Sequence, residues 1–167
     1  MEMPEILKRF NLHLDGVGLA GAIEKLTLPV IAATFEDFRG GGMDSVIDID
    51  MGLEKMESEF TLAGMVVSVL RKAGAINSGV PITIYGAYKR DGEPAKPVKA
   101  SGRVIIKMAD NGSWEPGQKN QTTVKVSWRS YILMVDGEEI YNIDLDKGTR
   151  FIDGIDQLAD ELAQVAL

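Results

Sequence analysis

Apolar and polar residues alternate along much of the chain, a pattern typical of strands with one buried and one exposed face. From Val98 to Met108 every second residue is small or apolar, and lysine, serine and arginine occupy most positions between them. The segment from Thr122 to Val135 continues the alternation over 14 residues, against a usual strand length of about five or six. We expect such a strand to reach past its own domain. Its predicted core face carries Val124, Val126, Trp128, Ile132 and Met134.

Asp-Gly pairs separate alternating segments at three places, residues 15–16, 91–92 and 136–137. Asp-Gly favours the two-residue hairpin turn because both central residues need positive φ. The third pair is followed by another alternating segment, Glu139 to Asp146. The chain is therefore predicted to be mainly β (α+β), an antiparallel β-sandwich or barrel with long hairpins.

Two segments change to helical spacing. Apolar residues recur every three or four positions between 64 and 73, followed by Gly74 where a C-terminal cap belongs. Near the C-terminus Ile155, Leu158, Ala159, Leu162 and Val165 form one apolar stripe. Asp153 and Asp156 stand where acidic residues favour a helix start. We predict a short helix near 64–73 and an amphipathic C-terminal helix, whose stripe packs within the subunit or docks on a neighbouring one.

Composition narrows the classes of function. The 167 residues are 45% hydrophobic and 26% charged, values that favour one soluble globular domain over a disordered or membrane-spanning chain. The absence of cysteine and the single histidine exclude disulfide frameworks, thiolate zinc sites and multi-histidine metal centres. The N-terminus has no apolar run of signal-peptide length, so we expect the chain to stay in the compartment where it is made.

Charge is distributed unevenly along the chain. The formal net charge of -7 opposes tight binding to nucleic acid. Residues 36–59 hold eight acids and two bases, whereas residues 60–108 hold eight bases and two acids. These segments are either solvated faces or complementary surfaces of identical copies that meet head to tail.

No motif rises to a catalytic or metal site. His13 lies in a strand-like segment without a local nucleophile, and we interpret it as structural. The segment from Asp48 to Glu59 matches a calcium loop poorly because Gly52 stands at a ligand position. The glycines at 40–42 lack the Gly-Lys-Ser/Thr ending of a phosphate loop. We therefore expect a protein that has no cofactor, no bound metal and no enzymatic activity.

Several blocks, in this order and spacing, resemble the major tail tube protein of contractile-tailed bacteriophages and related contractile bacteriocins. The blocks are residues 11–16 (NLHLDG), 26–29 (LTLP), 36–43 (EDFRGGGM), 50–54 (DMGLE), 60–64 (FTLAG), 86–93 (GAYKRDGE) and 134–140 (MVDGEEI). The resemblance covers nearly the whole chain, so residues 1–167 are expected to form a single tail tube domain.

The resemblance implies a structural protein of the virion tail, assembled in the cytoplasm of the bacterial host. Six subunits would form a ring, and rings would stack head to tail into a tube for DNA passage or membrane puncture. The implied partners are the chain itself, the tail sheath protein, and the baseplate and tail terminator proteins. DNA would be only non-specific cargo in the lumen, and we expect no membrane binding by this chain itself.

Two surfaces follow from this interpretation. We expect the polar glycine loop to contact the next ring; it comprises Arg39, Gly40, Gly41, Gly42, Met43, Asp44 and Ser45. Acids on alternating strands are expected to line the lumen and to repel DNA phosphates; they are Glu57, Glu59, Asp144 and Asp146. The alternative is that these acids face outward toward the sheath.

Two other classes of function stay open at this point. A β-sandwich could bind carbohydrate through an aromatic platform of Trp114, Trp128 or Tyr131, which would have to cluster on one exposed face. A hydrolase would have to combine His13 with scattered carboxylates.

Overall fold

The computed structural model describes residues 1–76 and 78–165, and most of this part of the chain is β-strand. The strands are β1 (Ile6–Leu14), β2 (Val17–Gly18), β3 (Ile23–Leu26), β4 (Ala33–Phe38), β5 (Ile47–Leu53), β6 (Glu57–Ala63), β7 (Val80–Lys89), β8 (Lys96–Asp110), β9 (Gln121–Val135), β10 (Glu138–Asp144), β11 (Thr149–Ile152) and β12 (Ile155–Asp156). The helices are α1 (Val67–Leu70) and α2 (Ala159–Val165). The predicted antiparallel, mainly β fold is confirmed.

The described strands form one ten-stranded sheet and one separate hairpin. The main path of the sheet runs β12-β11-β10-β9-β8-β7-β1-β2, and β6 joins β9 and β3 beside it. One edge of β9 pairs first with β6 along Gln121 to Ser127 and then with β10 along Ser130 to Val135. The length of β9 is thus used inside the subunit, where it connects two parts of the sheet.

The sheet changes register between these two parts. Arg103 pairs with Ser130 and Val104 with Trp128, which leaves Arg129 as an extra residue in β9. A β-bulge of this kind reverses the side to which all later residues point. Tyr131 is therefore buried in the core, and Leu133 packs against the core. The prediction that Ile132 and Met134 share the core face is wrong for this reason.

The hairpin turns follow the Asp-Gly pairs. Asp15 and Gly16 have φ of 50° and 78°, and Asp136 and Gly137 have 51° and 82°, as a type I′ turn requires. Residues 91–92 lie in a longer connection, residues 90–95, between β7 and β8. Asp91 does not have positive φ, so this hairpin is present without the predicted two-residue turn. Asp153 and Gly154, with φ of 53° and 77°, form a third two-residue turn between β11 and β12. Asp153 consequently does not start a helix, contrary to the prediction.

Both helices are present but shorter than predicted. The first is a single turn, and Val66 before it provides no side-chain cap, so little local energy extends it. The second begins only at Ala159. Of the predicted apolar stripe, Leu158 and Leu162 are half-buried, while Ile155 and Val165 are exposed. Its stripe is thus only partly covered within the subunit. Neither helix in the described residues has the length and apolar content to span a bilayer.

One core joins both parts of the sheet. Its largest buried side chains are Trp128 and Tyr131, whose rings meet edge to face with centroids 5.1 Å apart. The Trp128 Nε1 donates to Ser58 Oγ at 2.7 Å, which satisfies the buried indole nitrogen. Burial raises the pKa of the Tyr131 hydroxyl to about 12. Strand β9 therefore provides the centre of the core as well as the link between the two parts of the sheet.

Candidate assembly surfaces

Strands β4 and β5 form a two-stranded hairpin that pairs with no other described strand. We call residues 33–53 the arm. Directly opposite residues share a side of a hairpin, and Phe38 lies opposite Ile47 and Glu36 opposite Ile49. Phe38, Ile47 and Ile49 thus form an apolar side, and all three are exposed, by 50%, 50% and 41%. An apolar side left in water is characteristic of a contact surface.

The other side of the arm is acidic. Asp37 lies directly opposite Asp48, and Phe35 lies opposite Asp50. Like charges directly opposite each other destabilise a strand pair. Across residues 33–53 the arm carries five acids and one base, so much of the acidic charge of residues 36–59 is concentrated on one projecting hairpin.

The predicted glycine loop forms the tip of the arm. Within it the Arg39 Nε donates to the Met43 carbonyl oxygen at 3.2 Å. The Gly40 backbone N–H lies 3.1 Å from Met43 Sδ, and the Met43 N–H donates to the Gly40 carbonyl at 3.1 Å. The contacts described for this loop are local, so the tip is presented to its surroundings.

The three glycines of the tip are not needed by the subunit's own conformation. None has φ in the left-handed region, and no atom lies within 4 Å of the position of a Cβ at Gly41 or Gly42. Any small side chain fits there in the single subunit. A requirement for glycine at these positions must therefore come from outside it.

The base of the arm is held by an ion pair that the sequence did not reveal. The Arg150 Nη2 donates to Asp50 Oδ2 at 2.8 Å, although the two residues are 100 positions apart. Asp50 Oδ1 also accepts from the Gly52 N–H at 2.7 Å. These two bonds, first that from Gly52 and then that from Arg150, lower the pKa of the Asp50 carboxyl. Asp50 thus fixes the base of the arm. Among the described residues, no three acids or histidines lie close enough together to hold a metal ion.

Glu57 and Glu59 lie on β6, on the side of the sheet that faces away from the core, which we call the outward side. The Lys107 Nζ is 2.6 Å from Glu57 Oε1, and the Lys55 Nζ is 3.4 Å from the same oxygen. The hydrogen bond from Lys107 is the main cause that lowers the pKa of Glu57. Glu59 lies directly opposite Lys125.

Asp144 is the last residue of β10, whereas Asp146 lies in the turn after it and not on the strand predicted to reach residue 146. A second charged cluster forms here. The Arg103 Nη2 is 2.8 Å from Asp146 Oδ2, and the Arg129 Nε is 3.7 Å from Asp146 Oδ1. Asp144 Oδ1 accepts from the backbone N–H groups of residues 146 and 147, at 3.0 and 3.1 Å. Asp144 therefore stabilises the turn, while Asp146 balances two arginines.

Of the four acids expected in the lumen, Glu57, Glu59 and Asp144 thus lie on the outward side of one continuous sheet, and Asp146 lies beside it in the β10–β11 turn. The structure adds what alternation could not show, since Glu57, Glu59 and Asp146 each lie beside or opposite a base on a neighbouring strand. This side is a lattice of mixed charge and not an acidic wall.

The residues named for the other classes of function do not assemble into sites. Trp128 and Tyr131 are buried, and Trp114 is 73% exposed in the β8–β9 loop, so the three aromatics form no common platform. His13 is 3.1 Å from the Asn11 side-chain amide and packs edge-on against Tyr85. This histidine lies on the outward side with no nucleophile among the partners described for it.

The described residues form a β-rich subunit whose arm pairs with no other described strand and exposes an apolar side, as expected of a protein that assembles with further copies or partners. The family model for phage tail tube protein FII matches residues 4–165, and this chain belongs to that family. It is 31% identical to the tail tube protein of Escherichia phage P2, over the full length of both chains. It is 28% identical to the major tail tube protein of Serratia phage KSP20, over 87% of this chain and 85% of that protein.

Solved structures show the same fold. A chain in the sheath/tube terminator of an extracellular contractile injection system (PVC, extended state) superposes with a TM-score of 0.59 at 11% identity, over 80% of this chain and 98% of that one. A chain in the 6-fold symmetrised baseplate of the anti-feeding prophage (AFP) gives 0.58 at 12% identity, over 80% and 97%. Membership of the tail tube family makes the protein a structural component of the phage tail tube and of the virion tail.

Proposed function

We propose that copies of this chain close into six-membered rings, and that the rings stack head to tail into the inner tube of a contractile tail. Residues 1–167 act as one tube domain without catalytic activity. The observation that carries the proposal is the unpartnered arm on a chain that matches the tail tube family from residue 4 to 165. The 6-fold symmetry of the AFP baseplate, which contains a chain of this fold, supports a ring of six.

Open sheet edges support lateral closure. Strand β1 pairs with β7 along most of its length, but β2 covers only His13 and Leu14 on its other side. The segment from Ile6 to Asn11 therefore presents an edge without a strand partner in the described residues. At the opposite end of the sheet, the edge strand β12 has only two residues. If the β1 edge of one subunit pairs with the β12 end of its neighbour, neither edge stays unpaired. We expect this lateral contact to bury about 800 Å² per subunit.

The tip of the arm is the proposed contact with the next ring. Its seven residues, Arg39 to Ser45, project from the sheet, and its glycines have no role inside the subunit. Close approach of another backbone is a common reason for glycine. A neighbouring ring supplies such a backbone in this proposal.

The outward side of the sheet, which faces away from the core of the subunit, is the proposed channel lining. The acids of this lining are Glu57, Glu59, Asp144 and Asp146. Mixed charge supports passage of DNA as non-specific cargo, because phosphates meet neither a strongly attractive nor a strongly repulsive wall. The outer surface of the tube then meets the tail sheath protein, and its ends meet baseplate and terminator proteins. The names of the fold relatives, a sheath/tube terminator and a baseplate, support these partners.

Sedimentation velocity and negative-stain microscopy of the purified chain, over a wide range of concentration, test the proposal. We expect six-fold rings and tubes. A monomer at every concentration would contradict ring formation. Deletion of Gly40 to Met43 should leave rings that stack poorly, and tubes of normal length from that variant would contradict the role of the tip while leaving ring formation intact.

A further inference from the structure

We propose that the arm of one copy is received by a specific groove on the next copy, and this inference rests on the proposed function above. The groove crosses β1, β7 and β8 on the outward side near the β7–β8 turn. We call it the basic groove, and its relevant residues are Arg9, Tyr85, Ala87, Pro97 and Lys99. The ligand that it takes is the apolar side of a second copy's arm.

The shape of the basic groove follows from strand register. Ala87 lies opposite Arg9 on one side and Pro97 on the other, and Tyr85 lies opposite Lys99. Two short side chains thus form a floor between larger neighbours. The resulting depression measures about 450 Å³. Its floor is apolar, and Tyr85, which is 44% exposed, forms one wall.

The rim of the groove carries bases without acidic partners. Within residues 1–76 and 78–165, Arg9 and Lys99 form no ion pair. Lys99 instead lies over the Tyr85 ring, with Nζ 5.8 Å from the centroid. Lys96 is already held by Glu5 at 2.6 Å. Two bases at the rim are therefore available to an acidic partner.

The arm has the complementary properties. Its apolar side provides Phe38, Ile47 and Ile49 for the floor, and Glu36 lies on that same side, opposite Ile49. Glu36 forms no ion pair in the described part of the chain, so it can meet Arg9 or Lys99. The excess of acids on the arm favours its approach to a basic rim.

A larger cleft at the base of the arm fits this ligand less well. It measures about 660 Å³ and is lined by Asp50, Asp144 and Glu161, with Arg150 already engaged by Asp50. Arg150 balances the charge of Asp50, which leaves Asp144 and Glu161 to repel an acidic arm. The basic groove also lies at a different level of the sheet from Asp146, because Lys99 and Arg103 are four residues, or about 13 Å, apart along β8. It can therefore be filled without covering the proposed channel acids.

Engineered cysteines test the contact directly, since the chain has no native cysteine. Ile49→Cys combined with Ala87→Cys should give disulfide-linked ladders under mild oxidation of assembled tubes. Ile49→Cys combined with Ser113→Cys, at an exposed loop residue, is the matched control and should remain monomeric on a denaturing gel. Ladders from the control pair and none from the first pair would overturn the groove assignment.

A charge exchange provides a second measurement. Glu36→Lys and Lys99→Glu should each raise the protein concentration needed for tube formation by about tenfold, and the double variant should restore it. Lys25→Glu changes an exposed base outside the groove by the same charge and should have no such effect. If the native chain forms tubes but the double variant fails to recover, the groove is wrong and the proposed function stands. If the native chain forms neither rings nor tubes, the proposed function itself fails.

Discussion

At the scale of single residues, the sheet changes direction where two backbones almost touch. A Cβ at Gly102 on β8 would lie 1.9 Å from the Ser130 carbonyl oxygen on β9 and 3.2 Å from the Trp128 ring. Ser130 adjoins the bulge at Arg129, and bulges bend a strand and increase its twist. Gly102 therefore permits the change of direction through which both parts of the sheet share one core.

Replacement of Gly102 by alanine tests this role. The new methyl group meets a backbone oxygen that no rotamer change can move, so we expect a loss of about 1–3 kcal/mol in the free energy of unfolding. Chemical denaturation of the subunit measures it. Gly21→Ala is the control, because no atom lies within 4 Å of its Cβ position. Equal stability of the two variants would show that the close approach is not required.

The ion pair at the base of the arm makes a prediction about pH. The pKa of Asp50 lies below its ordinary value because of the bonds from Gly52 and Arg150. A lowered native pKa stabilises the fold above the ordinary pKa, and this contribution is lost as pH falls through the lowered value. Arg150→Met should raise the pKa of Asp50 only part of the way, since the Gly52 bond remains.

The measurement is an NMR titration of the Asp50 carboxyl, together with melting temperatures at neutral and acid pH. The variant should melt below the native chain at neutral pH, and the difference should shrink once Asp50 is protonated in both. A difference that is constant with pH would mean that Arg150 stabilises the arm by packing alone.

At the scale of elements, the arm is stable only at its base within the subunit. Its two strands pair with each other, its apolar side is exposed, and Asp37 faces Asp48. An isolated hairpin is marginal in water, so a neighbour that covers its apolar side would stabilise it.

Alanine at Gly41 and Gly42 separates folding from assembly. Both positions accept a Cβ in the subunit, and each replacement should stabilise the fold by about 0.4–1 kcal/mol because it restricts the unfolded chain. Tube length should nevertheless fall, since the next ring approaches the bare backbone in the proposed function. Gly21→Ala controls for the composition change. Tubes of native length from the double variant would show that stacking does not require glycine at the tip.

The sequence predicted the positions of the strands and turns better than it predicted which of their side chains face the core. Alternation and Asp-Gly pairs located the long hairpins because both signals are local. The bulge at Arg129 has no such local signal, as it depends on how Gly102 meets Ser130 across the sheet. Asp153-Gly154 did carry the same turn signal as the other pairs, yet the neighbouring helical stripe obscured it.

The candidate surfaces were predictable to different degrees. The exposed tip at Arg39 to Ser45 follows from its polar, glycine-rich composition. The outward position of Glu57, Glu59 and Asp144 follows from the period of alternation, whereas Asp146 lies in a turn that this period does not predict. The bases beside Glu57 and Asp146 come from β8 and β9. Lys107 is 50 residues from Glu57 and Arg103 is 43 residues from Asp146, while Arg129 is 17 residues from Asp146. Pairing over such separations depends on the sheet register. The Asp50–Arg150 pair, 100 residues apart, is beyond any local pattern.

At the scale of the whole molecule, charge is arranged so that each outward acid cluster contains its own bases. Six copies in a ring would repeat this mixed-charge arrangement around the channel. Removal of an acid would therefore not relieve repulsion between acids. It would leave unbalanced arginines, and the ring would gain positive charge facing any DNA inside.

Asp146→Lys tests the channel assignment more cleanly than a change at Asp144, because Asp144 also accepts two backbone N–H groups in its turn. The new lysine would adjoin Arg103 and Arg129, so tubes should form less readily at low salt and recover as salt screens the like charges. In a particle that carries DNA, ejection should slow because phosphates are attracted to the wall. Glu115→Lys, which makes the same charge change in the exposed β8–β9 loop, should leave ejection unchanged. If Asp146→Lys tubes assemble and DNA passes at the native rate, Asp146 faces the sheath and not the channel.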